Sequence, residues 1–255
     1  MAPAGARLTA ARSRTSRTLP SAPVPPERFD QLHGLVDSPA LDLPLEDWPR
    51  LYDLAVAFKP DLILELGRGY GNSTCIFTEA AHATSCRVVS IGFDSEHAWE
   101  TRTAPRLLPV LGADWFKPLV VLQEDLTEID YRPLIDRSNR VLVFWDAHGR
   151  DVAEAIFERL LPALPPANQI VVDDIWSVPE KYGLRAEYQA GPFWSLFDEL
   201  PPLWEYLSTQ GVDYDSGDRW VTFRAPVGRG DSARHWFSRI ASLFSAQRTA
   251  RSLDR

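Results

Sequence analysis

Residues 61–74 read Asp61-Leu62-Ile63-Leu64-Glu65-Leu66-Gly67-Arg68-Gly69-Tyr70-Gly71-Asn72-Ser73-Thr74, and they constrain the fold more than any other stretch. The apolar run Leu62 to Leu64 reads as a short buried strand, and from Ser73 to about Ala83 the apolar residues fall at helical spacing. Between them, glycines at 67, 69 and 71 let the backbone turn tightly and approach a ligand without interference from a Cβ. The start of the following helix offers free N–H groups and its positive dipole end to an anion. A carboxylate or phosphate therefore suits this turn. The dinucleotide fingerprint needs glycines at spacing 0, 2 and 5, and its third place here is Asn72, which weakens a nicotinamide or flavin reading and ranks an oxidoreductase low.

The strand-and-helix rhythm recurs along the chain. A helix is expected from about Asp47 to Phe58, with Pro49 tolerated in its first turn. Strands are expected at Arg87 to Ile91, Leu119 to Gln123, Val141 to Trp145 and Gln169 to Val172, and helices around Glu96 to Ala104 and Asp151 to Leu161. This alternation implies an α/β fold: a doubly wound, mostly parallel, Rossmann-like sheet of seven strands covered on both faces. Near the end, Trp204 to Ser208 and Trp220 to Arg224 read as two strands joined by a turn containing Gly211, Asp213, Asp215 and Gly217, which supplies an antiparallel edge. The expected organisation is a basic, disordered tail over 1–28, one domain over 29–228, and a C-terminal helix and tail over 229–255. The helix would span about Asp231 to Phe244.

Charge and composition narrow the partners. The 255 residues carry a net charge of −8, and residues 1–26 contain four arginines and no acid, so the body is more acidic than the average suggests. That sign does not suit phosphate neutralisation or an anionic membrane surface, so no nucleic acid and no membrane is expected as a partner. A small molecule is the expected partner, and a homo-oligomer is compatible with the sequence. Two cysteines, Cys75 and Cys86, are too few for a disulfide framework, which favours a reducing, cytoplasmic setting. No stretch has the length of a membrane span or of a secretory apolar core. The Arg-, Ser- and Ala-rich start superficially matches an organelle transit peptide, and composition alone also fits a disordered arm.

Glu65, two residues before the first glycine at a strand's C-terminal end, either accepts from a ligand ammonium or structures the loop. With that acid, the strand before it and the helix after it, the motif resembles the first motif of class I S-adenosylmethionine-dependent methyltransferases. Ser73 makes it similar to the catechol-type and bacterial antibiotic-biosynthesis O-methyltransferases, over roughly residues 45–225. The resemblance implies S-adenosylmethionine as cofactor, held by Glu65, Gly67, Arg68, Gly69, Gly71 and Ser73. Where the family has a ribose-binding acid after the second strand, this chain has Gly92. Asp94, two residues on, either substitutes for it or caps the next helix with Glu96 in the first turn. Asp125, after the third strand, would accept from the adenine amino group, or else is an exposed loop carboxylate.

Strands four and five end in Trp145-Asp146-Ala147-His148-Gly149 and Val172-Asp173-Asp174. In a doubly wound sheet these ends lie beside the glycine turn, with Asp146 also next to the cofactor. Three converging carboxylates repel one another unless a hard cation such as Mg²⁺ neutralises them. The arrangement resembles the metal-dependent O-methyltransferases, which implies Asp146, Asp173 and Asp174 as metal ligands. A metal would lower the pKa of a substrate hydroxyl poised against the methyl group. His148 is the candidate general base, with capping of the helix near Asp151 as its bland alternative. The catechol-type enzymes have a lysine where Gly149 stands here. The aromatic-rich segment between Trp176 and Trp204, including Trp194, is either a lid over the acceptor or ordinary packing. The expected activity is methyl transfer to a hydroxyl of a small molecule. The alternatives are a metal-independent N- or O-methyltransferase and a non-catalytic protein that binds S-adenosylmethionine or another nucleotide.

Overall fold

The computed structural model describes residues 24–38, 42–93, 97–173, 213–214 and 220–225. Helices α1 (Pro26–His33) and α2 (Trp48–Phe58) precede strand β1 (Leu62–Leu66), helix α3 (Asn72–Thr84) and strand β2 (Arg87–Gly92). A π-helical turn over Trp99–Thr103 runs into α4 (Ala104–Leu111), followed by β3 (Leu119–Gln123), the short α5 (Arg132–Ile135) and β4 (Arg140–Trp145). Helix α6 (Arg150–Ala155) continues through a second π turn, Ile156–Leu160, before β5 (Ala167–Val172). The two-residue β6 (Asp213–Tyr214) and β7 (Val221–Phe223) complete the described elements.

The strands form one sheet in the order β3-β2-β1-β4-β5-β7-β6. Neighbours from β3 through β5 run parallel, while β7 is antiparallel to both β5 and β6. Strands β1, β4 and β5 have almost no exposed residues, so they read as continuous apolar runs and not as alternating ones. Alternation survives as a choice of face. Leu62, Leu64 and Leu66 pack with Val143, Trp145, Ile156 and Phe157, whereas Ile63 packs with Phe77, Phe144 and the α1–α2 layer. Helix α3 is buried at every position from Asn72 to Ala81 because it lies between the sheet and the outer helices α1 and α2.

Two boundaries differ from the sequence expectation. The boundary placed at residue 28 falls inside α1. Arg28 donates from Nε and Nη2 to Glu79 Oε1 on α3, at 2.9 and 2.7 Å, and the Trp115 indole donates to the same oxygen at 2.7 Å. Composition marked this segment as tail because its anchor lies 51 residues away. Asp213, expected in a turn, pairs as β6 with Thr222. The expected strand at Trp204–Ser208, the expected lid and the C-terminal helix lie outside the described residues. Among the described residues no helix is long and apolar enough to cross a membrane, and both cysteines are buried and free.

The three donors on Glu79 make unequal losses testable. Arg28→Met should cost about 1–2 kcal/mol in urea denaturation, and Glu79→Ala about 2–4 kcal/mol because it also strands the buried Trp115 N–H. Equal losses would show that the ion pair alone ties α1 to the domain.

Candidate active site

Chain order reverses across the sheet between β1 and β4, so the crevice at their C-terminal ends is the expected ligand position in an open α/β sheet. Backbone hydrogen bonds continue past the strands and lay the loops in a row. Gly67 N–H donates to Ile91 O, Asp146 N–H to Leu66 O, Asp173 N–H to Trp145 O, and Glu124 N–H to Gly92 O, at 2.8–3.1 Å. The glycine turn, Asp146 and Asp173 therefore stand side by side.

The three motif glycines have positive φ, but for different physical reasons. A Cβ on Gly67 (φ 94°) would overlap the Asp146 backbone carbonyl, and one on Gly71 (φ 99°) would overlap the Trp99 ring. Only Gly69 (φ 50°) has no atom within 4 Å of that position. Of the three, Gly69 alone leaves its Cβ position open, while Gly67 and Gly71 are packed against neighbouring atoms.

Glu65 is fully buried beneath the turn, on the α3 face of β1. Its Oε1 accepts from the Ser73 hydroxyl at 2.5 Å and its Oε2 from the Thr74 hydroxyl at 2.7 Å, while Thr74 Oγ1 lies 3.3 Å from Ser90 Oγ on β2. Burial pushes the Glu65 carboxyl above its ordinary pKa, opposed by the hydroxyl donors and by Arg68. Of the two roles open to Glu65, this geometry supports structuring the loop. Ser73 spends its hydroxyl in the same contact. Asn72, the first residue of α3, is held by the Asp42 carboxylate at 2.5 Å, and its buried Oδ1 has no hydrogen-bond partner.

Arg68 is buried rather than presented to solvent. Its Nη1 donates to the carbonyls of Ser90 and Leu122, both at 3.0 Å, and its Nη2 to Gln123 Oε1 at 2.8 Å and Glu100 Oε1 at 3.4 Å. Gly92 makes room for it, since a Cβ there would lie 3.1–3.2 Å from the Arg68 side chain. The π turn presses on the glycine turn elsewhere too. Trp99 covers Gly71, and the Thr103 hydroxyl donates to Tyr70 O at 2.7 Å. Asp94 and Glu96 lie outside the described residues.

Asp125 forms a local turn, its Oδ1 accepting from Thr127 N–H and Oγ1 at 2.8 and 2.7 Å. Those bonds, the backbone one first, hold its carboxyl below the usual range. His148 Nε2 stands 3.9 Å from Asp146 Oδ1, each side chain about one-fifth exposed. Helix α6 takes Gly149 as its N-cap without a side-chain cap bond, so His148 is not the capping residue. Asp146 and Asp173 supply hard oxygen donors on neighbouring strand ends, which fit Mg²⁺ in kind. Asp174 lies outside the described residues, and among the described residues no group of three metal-ligating side chains occurs.

Sequence reasoning missed Thr74, Ser90, Trp99, Glu100, Thr103 and Gln123. Ser90 was within reach of a parity argument, since it pairs with Glu65 across β1 and β2, and Thr74 is the next residue after Ser73 on α3. The others meet the turn across 28 to 55 residues of chain, with no periodic signal.

No protein-family model matches the chain, and a search of curated proteins finds no match. Solved structures do share its fold. The S-adenosylhomocysteine-bound methyltransferase PaMTH1 of Podospora anserina superposes with a TM-score of 0.51 at 15% identity, over 78% of this chain and 86% of that one. A putative caffeoyl-CoA O-methyltransferase from Staphylococcus aureus gives 0.52 at 13% identity, over 77% and 90%. An O-methyltransferase from Bacillus cereus in complex with S-adenosylhomocysteine gives 0.50 at 18% identity, over 77% and 87%. The chain has the Rossmann-like methyltransferase fold, as the glycine turn implied.

Two outcomes test the turn. Gly67→Ala and Gly71→Ala should each cost about 3 kcal/mol or more in urea denaturation, and Gly69→Ala only about 1 kcal/mol. Equal costs at all three positions would contradict the division of roles. For Glu65, a raised folded pKa means that protonation favours the folded state. The wild type should lose stability relative to Glu65→Gln as pH rises from the ordinary carboxylate range through the folded value. Denaturation at several pH values reads that difference, and parallel curves would contradict it.

Proposed function

We propose that this protein transfers a methyl group from S-adenosylmethionine to a hydroxyl of a small molecule, assisted by a divalent cation. The observation that carries this reading is the open face of Gly69 in the turn after β1, with Asp146 and Asp173 following in order at the ends of β4 and β5. An open glycine just before the start of a helix with free N–H groups suits the amino-acid end of the cofactor. The chemistry named for the structural neighbours, methyl transfer with S-adenosylhomocysteine bound, agrees with that choice.

In the proposed reaction the acceptor oxygen attacks the methyl carbon in line with the C–S bond, and the electron pair of that bond returns to sulfur. The turn and strand ends hold the two reactants together, which removes the entropic cost of their encounter. His148 takes the acceptor's proton. Asp146 Oδ1 lies 3.9 Å from His148 Nε2. Asp146, Asp173 and Asp174 would hold the cation, which when bound acidifies an acceptor hydroxyl. Supporting a small acceptor is the net charge of −8, which does not suit a polyanionic partner. The two buried free thiols support a cytoplasmic setting.

The test is methyl transfer from radiolabelled S-adenosylmethionine to a panel of phenols and alcohols, with Mg²⁺ or with a chelator. Asp173→Ala should abolish Mg²⁺-dependent turnover, and His148→Ala should lower kcat about 10²-fold near neutral pH. Turnover unchanged by the chelator and by Asp173→Ala would select a metal-independent methyltransferase. Cofactor binding without turnover across the panel would select a non-catalytic binding protein.

A further inference from the structure

The second strand ends in Gly92, where a nucleoside-binding carboxylate is absent, and the buried Arg68 occupies the space that the missing side chain leaves. Arg68 is not a ligand contact itself, since its side chain is fully buried. It does deliver a charge. Its Nη2 pairs with Glu100 Oε1, and the Glu100 side chain is 40% exposed, so the acid has an open side as well as a fixed one. Three contacts hold Glu100 against the glycine turn: its own pairing with Arg68, the Trp99 ring over Gly71 one residue before, and the Thr103 hydroxyl on Tyr70 O three residues after.

One further observation points to a ligand at this corner. Phe93, immediately after Gly92, is 72% exposed, the most exposed large apolar side chain among the described residues. A flat, apolar base beside Phe93 and hydroxyls beside a carboxylate describe a nucleoside with an intact vicinal diol.

We infer that Glu100, held by Arg68, is the acceptor for the ribose hydroxyls of the cofactor, replacing a strand-end acid with one carried in by the π turn. This rests on the methyl-donor reading above. Glu100 reads the diol because an ionised carboxylate accepts two hydrogen bonds at once, and a cofactor lacking the hydroxyls leaves them unmade. Arg68 is a positioning residue. Its removal frees Glu100 to turn to solvent and also removes the pairing that orients it. Gly92 belongs to the same device, because a bulkier residue displaces the guanidinium.

The test is calorimetric titration with S-adenosylhomocysteine and with its 2′,3′-dideoxy analogue. Wild type should prefer the diol-bearing ligand by about tenfold or more. Glu100→Gln should lose that preference by weakening S-adenosylhomocysteine alone, with dideoxy affinity unchanged. Arg68→Met should reduce the preference as well, and combining the two substitutions should add little further loss. Asp94→Asn, the competing acid, should leave both affinities within about twofold. If the wild type binds S-adenosylhomocysteine and Glu100→Gln keeps the full preference, the assignment is overturned while the methyl-donor reading stands. A preference lost in Asp94→Asn gives the role to Asp94. If neither ligand binds the wild type, the methyl-donor reading falls and takes this assignment with it.

Discussion

The site depends on a carboxylate that solvent never reaches. Glu65 sits at the end of β1 under the glycine turn and receives the hydroxyls of Ser73 and Thr74 from the first turn of α3. Without those donors a buried acid would be untenable, and without the acid two buried hydroxyls would lack acceptors. Each makes the other affordable, and together they pin the strand end to the helix start. The geometry of everything between them, three glycines with Arg68 and Tyr70, follows from that fastening.

Around this fixed point the turn is held from three sides and open on a fourth. The β4 backbone fills the space at Gly67, Trp99 fills the space at Gly71, and Arg68 reaches across the ends of β2 and β3. What is left uncovered is Gly69. A turn so held does not need to order itself when a ligand arrives, and pre-organisation of this kind lowers the entropic cost of binding. The same row of strand ends carries Asp146, with His148 3.9 Å from its carboxylate, and Asp173.

Much of this was legible from residues alone because strand burial writes itself locally. Leu62–Leu66, Leu119–Gln123 and Arg140–Trp145 are apolar runs bounded by turns, and the glycine motif announces its own strand and helix. Side-chain pairing was not legible. Nothing local says that Arg68 turns back over the sheet instead of facing a ligand, nor that Gly92 is a glycine to admit it. Helix α1 was hidden for a related reason, since its amphipathic pattern is short and its anchor on Glu79 is distant. Glu65 was ambiguous between ligand and loop until the two hydroxyls were placed, although the parity of β1 already set it on the α3 side.

Among the described acids, Asp146 and Asp173 stand at neighbouring strand ends, in line with the glycine turn. In the proposed complex a sulfonium-bearing nucleoside lies across Gly69 with its ribose toward the π turn. A crystal structure of the protein with S-adenosylhomocysteine tests this directly. The account predicts the amino-acid portion against Gly69, the ribose hydroxyls on Glu100, and Arg68 still buried between β2 and β3. A ligand bound away from the β1–β4 crevice, or one that displaces Arg68 to reach the sheet, would contradict it.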